Sequence, residues 1–252
     1  MKLTDRVALV TGGAHRLGRA IALALAERGA LIALHYDTSR VAARQTAGEI
    51  AAHGFDVEIF QADLSEPSQI AKLISRVGKR FGRLDILVNS AASFERRDFD
   101  EITAGDWDAV MALNVRAAFL TSQHAVPLMR ASTYQPTLIV NIADLSGLYP
   151  WLGYAHHSVS KAALIHLTKS LARELAPDIR ANAIIPGAIL PPPDIDAASP
   201  EWQGAGKRNL LKRVGDPADI GRAVVFLAES DFITGAIIPV DGGESLLGPV
   251  GH

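Results

Sequence analysis

The feature that most constrains the fold is an alternation of short apolar runs with longer stretches of helical periodicity. Most of the longer stretches repeat apolar residues every three or four positions, as amphipathic helices do. Strands that alternate with helices form parallel sheets, because each crossover returns the chain to the same edge. The sequence therefore predicts one α/β domain over 1–252, a doubly wound parallel sheet with helices on both faces. The predicted strands are 6–11, 31–36, 56–60, 85–89, 137–142, 180–185 and 236–240.

Composition excludes several classes of function. The 252 residues contain no cysteine, so disulfides, thiolate catalysis and cysteine-ligated metals are excluded. The net charge of −2 provides no basic surface for nucleic acid. The first six residues lack a signal-peptide pattern, and no apolar run is long enough to span a bilayer. No histidine forms a spaced cluster with carboxylates that suggests a metal site. We expect a cytoplasmic protein with a small-molecule substrate and no nucleic-acid or membrane partner.

A glycine-rich turn follows the first apolar run. Residues Thr11 to Gly18 read Thr-Gly-Gly-Ala-His-Arg-Leu-Gly, and a helical stretch from Arg19 to Arg28 comes next. Gly12 allows a sharp turn, and Gly18 allows backbone or ligand to approach closely. Free N–H groups at a helix start bind a pyrophosphate. The order of strand, glycine turn and helix predicts a Rossmann-type dinucleotide site. Its cofactor-binding residues are Gly12, Arg16, Leu17 and Gly18.

Small and polar residues at two further strand ends fit the same crevice, because ligands bind beyond the carboxyl ends of parallel strands. An acid after the third strand suits an adenine amino group, and a small-residue turn after the fourth lets a flat ring lie against the backbone. The predicted cofactor-binding residues here are Asp63, Leu64, Asn89 and Ala91. Taken singly, Asp63 also suits a position beside a helix start, and Asn89 suits a turn.

The end of the second apolar run bears on the choice between NAD and NADP. An acid at this point grips the ribose hydroxyls of NAD and repels the 2′-phosphate of NADP. The expected position holds Tyr36, and Asp37 follows one residue later. We expect NADPH, with NADH left open by Asp37. Arg40 also fits a solvated cation at a helix start. The residues assigned to this end of the cofactor are Arg16, His35, Tyr36, Ser39 and Arg40, whose side chains suit a phosphate.

A second constellation lies in the later part of the chain. His157 and Lys161 are four residues apart in a helical stretch, which places both side chains on one face of the helix. A lysine beside a titratable donor lowers the pKa of that donor and can hold a ribose hydroxyl. Asn114 lies in another helical stretch, and Asp144 follows the run 137–142. We predict Asn114, Asp144, His157 and Lys161 as the catalytic residues.

One region departs from the alternation. Residues 187–206 contain three consecutive prolines and three glycines, and they follow the sixth apolar run. The alternatives are a substrate lid and a plain surface loop. Long loops in compact domains are usually functional. We therefore predict a substrate-binding loop over 187–210.

The order and spacing of these motifs resemble the short-chain dehydrogenases/reductases. The resemblance implies that Pro186, Gly187 and Lys161 bind the cofactor. It also implies a homotetramer in which helices near 106–130 and 154–175 pair between subunits. It covers residues 6 to 243 and rests on Thr11-Gly12 with Gly18, Asp63-Leu64, Asn89-Ser90-Ala91, Asn114, Ser160-Lys161, Pro186-Gly187 and Val240-Asp241-Gly242-Gly243.

Within that family the chain most resembles the pteridine reductases. Arg16 replaces the glycine of most members, and Asp144 replaces their serine thirteen residues before the donor position. Ser93-Phe94 follows the Asn89 turn, and His35-Tyr36 also matches. This resemblance implies hydride transfer from NADPH to a dihydropterin stacked on Phe94, a contact worth about 1 kcal/mol beyond burial. The implied substrate-binding residues are Arg16, Phe94, Asp144 and Tyr154. The alternatives are a generic carbonyl or 3-oxoacyl reductase, and a non-catalytic NADP(H)- or pterin-binding protein.

One residue departs from the family pattern. The family's proton donor is a tyrosine four residues before the lysine, and this chain has His157 there. Tyr154 lies seven residues before Lys161, roughly 10 Å along a helix axis, too far to replace it without a local shift.

Three hypotheses follow from this departure. In the first, His157 donates the proton and an acid/base pair with Asp144 keeps it protonatable near pH 7. In the second, Asp144 or a water chain through Lys161 and Asn114 delivers the proton, and His157 only orients the substrate. In the third, the chain binds cofactor and has lost reductase activity.

Overall fold

A parallel sheet of seven strands forms the centre of the protein, as the alternation predicts. The computed structural model describes residues 3–191 and 195–248. The strands are β1 (Val7–Val10), β2 (Leu31–Tyr36), β3 (Val57–Gln61), β4 (Ile86–Asn89), β5 (Thr137–Ile142), β6 (Ile179–Pro186) and β7 (Ile237–Val240). They lie in the order β3-β2-β1-β4-β5-β6-β7, and every neighbouring pair is parallel.

Helices cover both faces of the sheet. They are α1 (Arg16–Ala26), α2 (Arg40–Ala52), α3 (Pro67–Phe81), α4 (Ala104–Met111), α5 (Ala117–Arg130), α6 (Ala155–Leu175), α7 (Pro200–Ala205) and α8 (Pro217–Glu229). One hydrophobic cluster joins the sheet to α1, α2 and α8, and a second joins its other face to α3, α5 and α6. Within β1, Ala8 and Val10 belong to the first cluster and Val7 and Leu9 to the second. Successive side chains of one strand point to opposite faces and thus contribute to both hydrophobic clusters.

Local sequence sets several helix ends. The Thr103 hydroxyl accepts the Asp106 N–H at the start of α4, and the Asp106 carboxylate accepts the Thr103 N–H in return. This capping box satisfies two donors that the helix leaves free. Helix α3 ends at Gly82, whose φ of 75° is left-handed. Residues Ala112–Arg116 between α4 and α5 form a π-helical turn, a feature that often marks a functional position in a helix.

The crevice of the fold lies where the strand order reverses, between β1 and β4. The Thr11 hydroxyl at the end of β1 accepts the N–H groups of Ser90 and Ala91 at 2.9 and 3.1 Å. It also donates to the Val88 carbonyl. One side chain therefore joins the loops that follow the two strands.

The predicted substrate loop is more regular than expected. Helix α7 lies inside it, because the Ser199 hydroxyl caps the helix by accepting the Trp202 N–H and Pro200 occupies the first helical position. Residues 192–194 of the predicted loop 187–210 lie outside the described residues, as do 1–2 and 249–252 of the predicted domain 1–252.

No helix within 3–191 and 195–248 is long and apolar enough to cross a membrane. Among the same residues, no group of His, Cys, Asp and Glu side chains could hold a metal ion.

Candidate active site

A cleft of about 1270 Å³ opens at the carboxyl edge of the sheet. It brings the glycine turn together with the His157–Lys161 pair, although about 140 residues separate them along the chain. Arg40, Asn89 and Asn114 are the predicted site residues that do not line it. The predicted residues that line it are Gly12, Arg16, Leu17, Gly18, His35, Tyr36, Ser39, Asp63, Leu64, Ala91, Phe94, Asp144, Tyr154, His157, Lys161, Pro186 and Gly187.

The glycine turn is packed as tightly as its sequence suggests. A Cβ atom on Gly18 would lie 2.1 Å from the Gly12 carbonyl oxygen, a distance that no side chain tolerates. Gly12 has a φ of 65°, in the left-handed region that favours glycine. Both glycines are therefore required for α1 to begin this close to the end of β1.

The start of α1 fits a dinucleotide pyrophosphate. His15 precedes the helix without capping it through its side chain. Within the described part of the chain, no acceptor binds the N–H groups of Arg16, Leu17 and Gly18. Free donors at the positive end of a helix dipole attract an anion. The residues present thus provide the cradle that a nicotinamide dinucleotide needs.

His35 supports this turn from below instead of reaching a phosphate. Its Nδ1 accepts the Gly12 N–H at 3.0 Å, and its Nε2 donates to the Ala62 carbonyl at 2.9 Å. Burial lowers the pKa of His35 to about 4, despite the hydrogen bond to Ala62. The ring is therefore neutral at pH 7, and the prediction that it helps to hold a 2′-phosphate is corrected: burial removes the charge that this role needs.

Arg40 and Arg16 are also predicted to bind the 2′-phosphate of NADP, and the structure places them differently. Arg40 is the exposed first residue of α2 and does not line the cleft, so it acts as the solvated helix-start cation that was the alternative. The Arg16 guanidinium donates to the Pro191 carbonyl at 2.6 Å, at the edge of the cleft. Burial and the Asp63 carboxylate raise the pKa of Asp37. Arg16 does line the cleft, with its guanidinium held by the Pro191 carbonyl.

Asn89 lies inside the protein and not against a ligand. Its amide donates to Asn141 Oδ1 at 2.9 Å and accepts the Thr121 hydroxyl at 2.7 Å. Asn141 in turn donates to the Thr168 hydroxyl at 2.9 Å. The side chain therefore joins β4 to β5 and α5. The predicted cofactor contact of Asn89 is corrected for this reason, whereas Ala91 two residues later does line the cleft.

The chemical centre is a buried pair of Asp144 and His157. Nε2 of His157 lies 3.5 Å from Oδ2 of Asp144, and the two side chains are 2% and 20% exposed. The other ring nitrogen, Nδ1, lies 3.1 Å from the Ser93 carbonyl oxygen. The Asn114 amide nitrogen also lies near Nδ1, at 3.5 Å. The Ser93 carbonyl is nearer and can only accept, so we assign a proton to Nδ1. Nε2 then faces the Asp144 carboxylate across a gap longer than a hydrogen bond.

The carboxylate of Asp144 has partners of its own. Burial raises the pKa of Asp144, but the hydrogen bond and charge of His157, the charge of Lys161 and the Ser146 N–H together lower it below its usual range. The Ser146 N–H donates to Oδ1 at 2.7 Å. Asp144 is therefore an anion at neutral pH, held on one side by backbone and on the other by the imidazole.

Lys161 and Asn114 flank the pair. The Lys161 ammonium donates to the Ile142 carbonyl at 3.0 Å, and burial lowers its pKa against the opposing charge of Asp144. Asn114 lies in the π-helical turn. Its Oδ1 accepts the Ser93 N–H at 2.9 Å, and its Nδ2 donates to the Ser160 hydroxyl at 3.0 Å. Both halves of the Asn114 amide are thus engaged in holding the Ser93 backbone and α6 together.

An aromatic wall, formed by Phe94, Trp151 and Tyr154, closes the substrate side of the cleft. Phe94 stacks on Tyr154 with ring centroids 4.8 Å apart and an interplanar angle of 24°. The ring of Phe94 meets His157 edge-on at 4.9 Å. Phe94 keeps 42% exposure. The predicted stacking residue thus has a protein ring on one face, which the sequence did not indicate.

Sequence reasoning missed other residues of the cleft, namely Trp151, His156, Trp202, Arg208 and Glu244. Glu244 follows β7 and is nearly buried; burial raises its pKa although Arg208 lies 3.9 Å away. A signal was available for Glu244, since an acid directly after a two-glycine turn at a strand end is placed at the ligand edge. Trp202 and Arg208 belong to the predicted loop 187–210, so this loop does contribute to the cleft wall.

Comparison with known proteins agrees with this geometry. Residues 12–245 match the family model described as Enoyl-(Acyl carrier protein) reductase. The 3-oxoacyl-[acyl-carrier-protein] reductase of Staphylococcus aureus is 36% identical over 96% of this chain and 99% of its own. The (3R)-3-hydroxyacyl-CoA dehydrogenase of Canis lupus familiaris is 34% identical over 96% of this chain and 97% of its own. A short chain dehydrogenase from Burkholderia cenocepacia, solved in complex with NADP, superposes with a TM-score of 0.89 at 33% identity and covers 97% of this chain and 100% of its own.

The chain belongs to the short-chain dehydrogenase/reductase family. It is an oxidoreductase of that family with the Rossmann-type fold, as the sequence predicts. The narrower resemblance to pteridine reductases finds no counterpart among these relatives, whose names describe 3-oxoacyl and 3-hydroxyacyl chemistry.

The neutral state of His35 predicts a pH dependence of stability. Because its folded pKa of about 4 lies below the ordinary histidine pKa of 6.5, the unfolded chain binds the proton first as pH falls. The contribution of His35 is complete above pH 6.5 and is lost as pH falls towards 4. We expect a loss of about 2 kcal/mol between about pH 7 and pH 5 that is absent in His35→Gln. Urea unfolding at both pH values measures it, with exposed His53→Gln as control. Parallel profiles for wild type and His35→Gln would contradict this account.

Proposed function

We propose that this chain is an NADPH-dependent reductase of carbonyl compounds in which the Asp144–His157 pair supplies the proton. Two relatives are named for chemistry at a 3-oxo or 3-hydroxy group, and this supports a carbonyl carbon as the hydride acceptor. The observation that carries the proposal is the 3.5 Å approach of His157 Nε2 to Asp144 Oδ2 in a cleft built for a dinucleotide.

The cofactor site favours NADPH. The free N–H groups at the start of α1 would hold the pyrophosphate, and Lys161 with Pro186 and Gly187 would hold the nicotinamide half. Tyr36 stands where an acid would repel a 2′-phosphate, and the Arg16 cation lines the same cleft. The Burkholderia relative was solved with NADP, which supports the same choice. When bound, NADPH supplies the hydride.

The protein's own part is to deliver one proton to the developing alkoxide. The Ser93 carbonyl fixes a proton on His157 Nδ1, so the transferable proton lies on Nε2. Asp144 stabilises that proton before substrate binds. A distance of 3.5 Å is longer than a hydrogen bond, and such contacts tighten or re-aim when substrate enters. Transfer from Nε2 to the substrate oxygen leaves a neutral imidazole and completes the hydroxyl of the product.

The surroundings favour His157 as the proton donor over Asp144 and over a water chain through Lys161 and Asn114. Asn114 has both amide groups engaged with Ser93 and Ser160, so a water chain through it would break existing hydrogen bonds. Asp144 is held as an anion by its neighbours and has no proton of its own to give. Lys161 acts through its charge, which stabilises Asp144 and would bind a ribose hydroxyl.

The pair predicts how two substitutions change turnover. Asp144→Asn removes the anion that stabilises a proton on the imidazole, so kcat falls by roughly tenfold or more. His157→Phe lowers kcat by roughly 100-fold or more because no donor remains. Steady-state oxidation of NADPH with ethyl acetoacetate measures both.

A matched variant restores the family's residue. His157→Tyr should retain turnover, because a phenol at this position can also donate a proton. NADPH affinity, measured by fluorescence titration, should stay within about twofold in all three variants, since none is expected to hold the phosphates. An unchanged kcat in His157→Phe would show that the proton comes from elsewhere.

A dihydropterin is the second candidate substrate, and the aromatic wall supports it. Phe94 lies against His157 with an exposed ring surface, and flat heterocycles stack on such rings. Arg16 at the edge of the cleft would reach a pterin carbonyl, and Asp144 would accept from an amino group. Tyr154 supports the Phe94 ring from behind.

Substrate comparison separates the two candidates. A pterin reductase oxidises NADPH with dihydrobiopterin, and Phe94→Leu lowers kcat/KM for that substrate about fivefold, since stacking contributes about 1 kcal/mol. Turnover of ethyl acetoacetate should change less than twofold in the same variant. Absence of NADPH oxidation with dihydrobiopterin in the wild type would leave the carbonyl reductase alone.

We also propose a homotetramer with α5 and α6 at one subunit contact. Three large apolar side chains keep exposed surface on these helices and on α4, and a subunit contact would bury them. They are Trp107 on α4, Phe119 on α5 and Val159 on α6. Light scattering coupled to size exclusion should report a mass four times the 26.8 kDa of one chain. Phe119→Glu should lower that mass, because a buried charge opposes association. A wild-type mass of one chain would refute the assembly.

A further inference from the structure

Arg208 is a cation of the cleft to which the proposed reaction assigns no role. It ends the short helical turn that follows α7, and its side chain keeps 41% exposure. Within the described part of the chain, its guanidinium makes one ion pair, with the Glu244 carboxylate at 3.9 Å, a separation longer than a hydrogen bond. By contrast, the Lys161 ammonium and the Arg16 guanidinium each donate to a backbone carbonyl. Arg208 therefore has donors to offer to a ligand.

Backbone contacts fix the position of Arg208 without help from the ion pair. The N–H groups of residues 210–211 both donate to the Gly242 carbonyl, at 3.0 and 3.2 Å. The buried Asn209 amide donates to the Arg213 carbonyl at 2.8 Å. A partly exposed ion pair at 3.9 Å adds little to such a framework. The need to hold this segment in place therefore does not explain why a charged pair lines the cleft.

Glu244, the other half of the pair, lies at the reacting end of the cleft. Its turn packs against the predicted nicotinamide contact Gly187, because a Cβ atom on that glycine would lie 2.6 Å from Asp241 Cα. The carbonyl of the next residue, Ser245, accepts the Tyr149 hydroxyl at 3.1 Å. This tyrosine belongs to the loop between β5 and α6, which also carries the carboxylate of the proton-donor pair. The ion pair thus lines the part of the cleft where a carbonyl substrate would lie.

An arginine placed in this way suits a carboxylate. The guanidinium presents a planar fork of donors that matches the two oxygens of a carboxylate. Glu244 is the carboxylate that Arg208 has in the absence of a ligand, but the contact is long and the Glu244 side chain is only 5% exposed. Burial raises the pKa of Glu244 against the charge of Arg208, so this carboxyl takes up a proton more readily than an exposed one. A second carboxylate would thus replace Glu244 as the partner of Arg208.

We propose that Arg208 determines specificity by binding a carboxylate of the substrate, so that this enzyme prefers oxo acids to neutral ketones and esters. This inference rests on the proposed reductase function and names its substrate class. The substrate carboxylate takes no part in the reduction. Its contact with Arg208 holds the carbonyl group in one orientation towards His157, and Glu244 holds the guanidinium before substrate binds.

Matched pairs of an oxo acid and its ethyl ester test the proposal. Acetoacetate, levulinate and 5-oxohexanoate place the carboxylate at increasing distances from the carbonyl group. In at least one pair, we expect kcat/KM of the acid to exceed that of the ester about tenfold, because the ester cannot form the charge-assisted hydrogen bonds. This acid-to-ester ratio should fall about tenfold in Arg208→Gln. It should fall less in Arg208→Lys, because an ammonium keeps the charge but not the fork.

Glu244→Gln breaks the same ion pair from its other side. It removes the competing carboxylate, so the acid-to-ester ratio should rise about threefold, opposite in sign to the effect of Arg208→Gln. If the ion pair only held the loop to the end of β7, both substitutions would change the ratio in the same direction, and that result overturns the proposal.

A matched control is Arg213→Gln. Arg213 also pairs with a carboxylate at 3.9 Å, that of Asp219, but it does not line the cleft. This variant should keep the wild-type ratio. Esters reduced as well as acids in all three pairs overturn the proposal. So does a ratio that falls in Arg96→Gln and not in Arg208→Gln, because Arg96 is another exposed cation of the cleft.

Binding without turnover separates this proposal from the proposed function. A wild type that reduces neither acids nor esters defeats the reductase function. Ligand-observed NMR titration of the three acids against the NADP⁺ complex then tests Arg208 alone. We expect at least one acid to bind the wild type about tenfold more tightly than Arg208→Gln, with Arg213→Gln unchanged. Equal affinities in the wild type and Arg208→Gln overturn the proposal.

Discussion

The site depends on the contact between the loops that leave β1 and β4. In a parallel sheet these loops diverge, and a crevice opens only if their first residues are held in place. Thr11 does this with one hydroxyl, which binds three backbone groups of the β4 end. Gly18 allows α1 to start against Gly12, where any side chain would collide. His35 stabilises the same turn, because its Nδ1 accepts the Gly12 N–H. Backbone packing thus forms the dinucleotide cradle, and the catalytic residues are positioned relative to that cradle.

A histidine as proton donor, as we propose for His157, places particular demands on its neighbours. A phenol is neutral before it gives its proton, but an imidazole that donates from both nitrogens is a cation. Beside the buried Lys161 ammonium that cation would be unfavourable, because like charges in a low dielectric repel strongly. Asp144 supplies the compensating anion, and its lowered pKa shows that it is held as an anion by these same groups. Asp144 and His157 therefore act as one coupled pair in the proposed mechanism.

Much of this architecture is predictable from the sequence, and the exceptions have a common cause. All seven strands lie within a residue of the apolar runs, since buried parallel strands are apolar along their whole length. The fold also brings the glycine turn to the His157–Lys161 pair, as motif order requires. The errors concern side-chain direction. Asn89 and His35 look like ligands at strand ends, but partners 23 or more residues away along the chain turn them inward. No local pattern reveals such contacts.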